Sequence, residues 1–170
     1  DDVLGNCVHA FLAADVSGLA EDVRLARAKA LVDGWRLTSV VRGESLVAAS
    51  DALRAWVAKR WPAAMWHREI PIEGLVSTEH GERRVSGIID LLLETEAGWI
   101  LIDHKTFPAV AESAWRAKCA TFVPQLAAYV ELLEGVEGKK VEACWVHLPV
   151  GGGMVEVAMG GERYDVVRSG

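Results

Sequence analysis

Residues 87–105 read GIIDLLLETEAGWILIDHK: two apolar runs joined by the polar tetrapeptide TEAG. Such runs, each bounded by turn residues, read as two buried antiparallel strands. Yet each run carries an aspartate, and a lysine follows the second. With the turn at 95–98, Glu94 opposes Trp99 and, counting inward, Asp90 opposes Asp103. Side chains alternate along a strand, so Asp103 and Lys105 share a face with Asp90 across from them, and His104 points to the other face. Directly opposed residues have Cβ atoms about 4.5–5.5 Å apart, where like charges destabilise a pair. Apolar surroundings add a desolvation cost. A hard divalent cation bound through oxygen ligands would offset both, and Lys105 would neutralise part of the remainder. A salt-bridged cluster at a sheet edge is the other reading of the same pattern.

The rest of the chain places this hairpin. The first third is helical in texture: DDVLGNCVHAFLAAD, GLAEDVRLARAKALVDGW and GESLVAASDALRAWVAKRWP each carry apolar residues at helical spacing. Asp1 and Asp2 suit a helix start, and Pro62 closes the third segment. MWHREIPIEGLVS, RRVSGIIDLLLE and GWILIDHKT then read as three consecutive antiparallel strands. VPQLAAYVELLEG reads as a helix with Pro124 in its first turn and Gly135 at its stop. KKVEACWVHLPV and GMVEVAM close the chain as two strands around a GGG turn. The expected fold class is α/β (α+β): a central mixed sheet of about five strands flanked by helices, behind an N-terminal helical segment. One domain spans 1–170, with the helical segment at 1–62 and the sheet core at 63–160.

Two further pairs share a helix face by i, i+4 spacing: Gln125 with Tyr129, and Gly5 with His9. Taken singly, each reads more readily as a structural feature. In chain order the features are Gly5-x3-His9, Gly87-x2-Asp90, Asp103-x-Lys105 and Gln125-x3-Tyr129. That ordered set resembles the RecB-like branch of the PD-(D/E)xK nucleases, most nearly the C-terminal nuclease domain of AddA- and RecB-type helicase–nucleases. HREIPIEG, before the hairpin, is similar to a strand common in that branch.

The resemblance implies a restriction-endonuclease-like core and a Mg²⁺- or Mn²⁺-dependent deoxyribonuclease. Asp90 and Asp103 would bind the metal, with His9 as a further ligand and the backbone carbonyl of His104 beside them. Lys105 would orient or activate the attacking water, and Gln125 and Tyr129 would help hold DNA and the lysine. Glu69 is a weaker candidate, read as a structural strand residue. The resemblance further implies single-stranded DNA as substrate, a helicase domain of the same or a partner chain, and a role in double-strand-break processing. It implies 5′-phosphate products and a bacterial cytoplasmic setting. Position 104 holds His where Tyr is common, a change that a backbone ligand tolerates. The four-cysteine iron–sulfur staple of some relatives has no counterpart, so no iron–sulfur cluster is expected. The chain starts without methionine, as a domain cut from a longer protein would.

Composition bears on the alternatives. The net charge is −6, which gives no support to a free-standing nucleic-acid binder but suits a nuclease whose neighbouring domains supply the basic channel. Local positives exist at 82–84, Arg116 and Lys118. Cys7, Cys119 and Cys144 are far apart and form no CxxC pair, which points to free thiols. No apolar run reaches the length of a membrane span. Two competing readings are a catalytically idle nucleic-acid-binding or scaffolding module of the same fold, and an unrelated α/β binding domain. Residues 17–60 carry no recognisable motif.

Overall fold

The computed structural model describes residues 3–107, 111–157 and 166–168. Three helices come first: α1 (Val3–Ala14), α2 (Glu21–Gly34) and α3 (Gly43–Arg60). The strands β1 (Met65–Thr78), β2 (Gly81–Glu94) and β3 (Trp99–His104) follow. Then come α4 (Glu112–Ala120), α5 (Val123–Glu137), β4 (Val141–Leu148), β5 (Gly153–Val157) and the short β6 (Val166–Arg168). All strands join one sheet in the order β1-β2-β3-β4-β5-β6. β3 and β4 are parallel, and every other neighbouring pair is antiparallel. The mixed sheet is therefore as expected in kind, with six strands rather than about five. Asp1, Asp2 and the end of GMVEVAM lie outside the described residues.

Each strand of this sheet follows from local chemistry. All six residues of β3 are buried, as befits a central strand covered on both faces. The β2–β3 register pairs Glu94 with Trp99 and Leu91 with Ile102, as the TEAG turn requires. Thr95 closes that turn: its N–H and hydroxyl both donate to the Gly98 carbonyl, each at 2.9 Å. The parallel β3–β4 step needs a crossover, and α4 and α5 supply it.

Two apolar layers sandwich the sheet. Leu92, Leu101 and Val146 pack with Trp115 of α4 and Leu126, Tyr129 and Leu133 of α5. Leu91, Leu93, Ile100, Ile102 and Trp145 pack on the other face against Leu53, Trp56 and Val57 of α3. A third cluster, including Cys7, Phe11, Ala28, Val32 and Leu46, joins α1, α2 and α3 to one another. Cys7, Cys119 and Cys144 are buried free thiols. Among the described residues, no helix is long and apolar enough to cross a membrane.

Two expectations for the crossover change. α4 has no counterpart in the sequence reading, because this nine-residue helix buries only Trp115 and Cys119, too short a stripe to reveal a period. α5 continues past Gly135 and ends at Gly138, whose φ of 65° is the left-handed C-cap that favours glycine.

The long β1–β2 hairpin switches faces halfway along. Ile89 packs in the α4–α5 layer while Leu91, two residues on, packs in the α3 layer. In β1, Ile70 and Ile72 join the first layer and Trp66 joins the second. Strict alternation would keep each set on one side. The switch coincides with Glu69, which has a φ of 52°, and with Asp90. The β1–β2 ladder skips this one pair and resumes on both sides. A non-glycine residue in the left-handed region costs about 1–3 kcal/mol, and such residues cluster at functional sites.

Candidate active site

The hairpin's charged residues gather where β2 and β3 part. Their ladder ends at Leu91–Ile102, and the Asp90 side chain takes over from there. Its Oδ2 accepts the His104 backbone N–H at 2.6 Å. Its Oδ1 lies 3.2 Å from Nδ1 of His9, presented by α1. Asp90 thus ties β2, β3 and α1 together through one carboxylate. Asp103 is 4 % exposed. The Lys105 ammonium lies 2.7 Å from the buried Asp103 Oδ2 and forms its ion pair. Lys105 also sits 4.9 Å above the Phe122 ring, and its N–H donates to the His147 carbonyl at 2.8 Å.

The electrostatics push the two aspartates apart. Burial raises the pKa of the Asp90 carboxyl, but the His9 hydrogen bond and the His104 N–H more than offset it, leaving it below the ordinary value. Burial also raises Asp103, with Asp90's charge adding to it, and Lys105 only partly counters this. His9 is raised by its hydrogen bond to Asp90, against the pull of burial. Two carboxylates with opposed shifts, in mutual electrostatic contact, are a signature of functional sites.

The His104 ring lies between His147 of β4 and His9 of α1. Burial pushes its pKa down to about 4. Its Nδ1 lies 3.1 Å from Nδ1 of His147 on β4, and its ring is 5.8 Å from that of His9. Sequence reasoning missed His147. Its signal is the parallel β3–β4 register, which sets His104 beside His147 and is not visible in either strand alone. Glu69, read as structural, sits exposed at the face switch, its pKa raised by burial and by the charge of Asp90.

Gln125 and Tyr129 take a different position. Gln125 Nε2 donates to the Tyr129 hydroxyl at 2.9 Å, and that hydroxyl lies against Gly87 of β2. A Cβ on Gly87 would come within 1.9 Å of it. Among the described residues, neither side chain is hydrogen-bonded to His9, Asp90, Asp103 or Lys105. Tyr129 is 3 % exposed and belongs to the α4–α5 core layer. The pair docks α5 onto the strand that carries Asp90. Gly87→Ala should therefore lower unfolding stability by about 1–3 kcal/mol through overpacking, read as a fall in the denaturant midpoint. Adding Tyr129→Phe, which removes the nearest atom, should recover part of the loss.

A cleft of about 680 Å³ opens onto this cluster, lined by residues that include His9, Trp35, His104, Lys105, Lys118 and Phe122. Its lining contains two lysines and no carboxylate, an environment that suits an anion despite the chain's negative net charge.

The donor set suits a hard divalent ion. Asp103 offers a buried carboxylate beside Lys105, Asp90 a second carboxylate, and His9 an imidazole. Among the described residues, no three His, Cys, Asp or Glu side chains form a ready metal cage. Mg²⁺ does not need one, since it binds through one or two carboxylates and keeps several waters.

The comparisons with known proteins agree with this arrangement at the level of family. No curated protein matches the chain. Among solved structures, the crystal structure of SSO0001 aligns over 99% of this chain and 78% of its own, at 12% identity and a TM-score of 0.37, too distant to support an argument. The family profile described as the PD-(D/E)XK nuclease superfamily matches residues 1–163, nearly the whole chain. The chain belongs to the PD-(D/E)XK nuclease superfamily.

Proposed function

We propose that this chain is a metal-dependent deoxyribonuclease domain that hydrolyses phosphodiester bonds of single-stranded DNA. The observation that carries this reading is the half-buried Asp90 carboxylate beside the buried Asp103, with the Lys105 ammonium on an Asp103 oxygen. In a buried setting such charges are costly unless a ligand compensates them.

Asp90, Asp103, His9 and the His104 carbonyl would hold Mg²⁺ or Mn²⁺. A bound ion of this kind lowers the pKa of water and polarises a phosphoryl oxygen. An imidazole in the set favours Mn²⁺ alongside Mg²⁺. The chain's own residues do the rest. The His104 N–H bond holds the Asp90 carboxylate at the gap between β2 and β3. Lys105, at the mouth of the cleft, orients the attacking water and meets charge developing on the phosphate. Lys118 adds a second cation to the same lining. Gln125 and Tyr129 act through the strand: by seating α5 on Gly87 they fix where β2 presents Asp90.

Delivery of the strand by a helicase domain of the same or a partner chain, in double-strand-break processing, fits a domain with a negative net charge and only local basic lining. The test offers single-stranded DNA, duplex DNA and RNA of one sequence with Mg²⁺ or Mn²⁺, beside a chelated control. The expected result is cutting of single-stranded DNA that stops on chelation. Metal-independent background on all three substrates would overturn the reading.

A further inference from the structure

A second cleft, of about 600 Å³, lies between the end of α3 and the start of β1, and Arg54, Trp61, Trp66 and Arg68 contribute to its walls. Its chemistry is unbalanced. Arg24, Arg54 and Arg68 converge on this corner, where among the described residues two carboxylates, Asp15 and Asp51, answer them. Arg24 takes both: it bonds Asp15 through Nε and Nη2, each at 2.8 Å, and Asp51 at 2.6 Å. Arg54 shares Asp15 Oδ2 at 3.1 Å and its Nη2 also donates to the Asp15 and Val16 carbonyls, while its own Nε is buried without a partner. Arg68 is half-buried and, among the described residues, has no ion pair. Its hydrogen bond is a long one, Nη2 to the Asp15 carbonyl at 3.5 Å. Burial and the neighbouring Arg54 charge both pull its guanidinium pKa below the ordinary value.

A desolvated guanidinium without a carboxylate calls for an anion, and a planar fork matches phosphate. The walls add a second requirement. Trp61 and Trp66 line the cleft as half-buried indoles, and Arg68 already lies 4.8 Å over the Trp66 ring. An inorganic anion makes no use of two aromatic walls. A nucleotide with an unstacked base does, and single strands offer such bases where duplexes do not. The cleft is also close to the carboxylates: Arg68 pairs across the ladder with Leu91, the neighbour of Asp90, and its charge reaches His104.

We propose that this cleft binds one nucleotide of the single-stranded substrate, with its phosphate on Arg68 and Arg54 and its base against Trp61 and Trp66. The proposal rests on the nuclease reading for its substrate, but it is tested by binding rather than cutting.

Anisotropy of a labelled oligodeoxythymidylate, with metal chelated so that no cutting occurs, measures affinity over a range of salt. Cleavage in Mg²⁺ is measured separately. Arg68→Met should weaken binding several-fold and reduce the slope of log Kd against log salt by about 0.7. Arg68→Lys, which keeps the charge and is milder to the fold, should restore the slope and only part of the affinity. Trp61→Ala should weaken binding about tenfold while leaving the affinity for an abasic oligonucleotide unchanged. Parent-like affinity and slope in Arg68→Met and Arg68→Lys, or a parent that does not bind the oligonucleotide, would overturn the proposal. An equal loss on abasic DNA in Trp61→Ala would overturn the assignment of the base. A parent that binds as described but does not cut fails the nuclease reading and leaves the cleft standing. A parent that cuts while the variants bind normally fails the cleft alone.

Discussion

Lys105→Met should reduce the rate of DNA cleavage by about 10²–10⁴-fold, the range for loss of a positioned proton-transfer or charge-stabilising group. The variant should stay folded. Lys105 projects from the end of β3 into the cleft, and its own backbone bond to His147 does not involve the side chain. Its ammonium is partly exposed and, among the described residues, contacts Asp103 and the Phe122 face. Methionine keeps most of the aliphatic length over Phe122 and removes the cation. Divalent-ion binding should persist, because the carboxylates and His9 remain and lose a competing positive charge. The expected pattern is therefore low kcat with metal affinity equal to or tighter than the parent's. Single-turnover cleavage, with metal affinity measured on the same sample, checks both halves. A variant that cuts at the parental rate would remove Lys105 from the chemistry.

Asp15→Ala should cost about 3–5 kcal/mol of stability, the usual penalty for removing one partner of a buried ion pair. Asp15 lies just after α1 and is 2 % exposed. It accepts two bonds from Arg24 of α2 and one from Ser50 of α3 at 2.6 Å. The Arg54 guanidinium shares Oδ2 with the Ser50 hydroxyl and one of the Arg24 bonds. One carboxylate thus ties the end of α1 to the first turn of α2 and the middle of α3, and without it, among the described residues, Arg54 has no ion-pair partner and Arg24 keeps only Asp51. The pH dependence follows from the sign of the shift. Burial pushes the Asp15 carboxyl up, but the bonds from Arg24 and Ser50 and the charge of Arg54 bring it below its ordinary value of 3.8. A lowered folded-state value means the stabilisation is complete above the unfolded value. It is lost as pH falls from about 4 through the folded value. Chemical denaturation from pH 7 down to strongly acid conditions should show this loss in the parent, and a shallower fall below pH 4 in Asp15→Ala.

That network also accounts for the segment between 17 and 60, where no motif was legible. Its work is done by ion pairs between residues far apart in sequence, centred on the buried Asp15 and Arg24. Arg24 and Asp51 look like ordinary solvated charges until the helices are packed, and helical periodicity shows the stripe of Ala28 and Val32 without showing what it meets. The hairpin was legible for the opposite reason. A four-residue turn sets the register of its strands, and register decides which side chains share a face. The β2–β3 ladder follows that count from Glu94–Trp99 to Leu91–Ile102.

What the count did not contain is the break at Asp90. An alternating strand places Asp90 across from Asp103, whereas the chain ends the ladder there and turns the Asp90 carboxylate onto the His104 N–H. The face switch at Glu69 and Asp90 belongs to the same departure. Local propensity rules assume a regular pleat, and sites of function are where such rules are expected to fail. His147 was hidden by topology: a parallel partner strand arrives after two intervening helices, and no local spacing predicts its register. The cleft around Arg68 was hidden likewise, since its two walls come from α3 and β1 and its base from the end of α1.

On the proposed function, the charge conflict in GIIDLLLETEAGWILIDHK should be relieved by a divalent ion. Direct titration with Mn²⁺, followed by electron paramagnetic resonance, measures that without any substrate. The parent chain should bind the ion, and Asp90→Ala and Asp103→Ala should each weaken binding at least about tenfold, the scale at which even supporting groups around a metal matter. Mn²⁺ binding of equal strength in the parent and both variants, or none in the parent, would contradict the account.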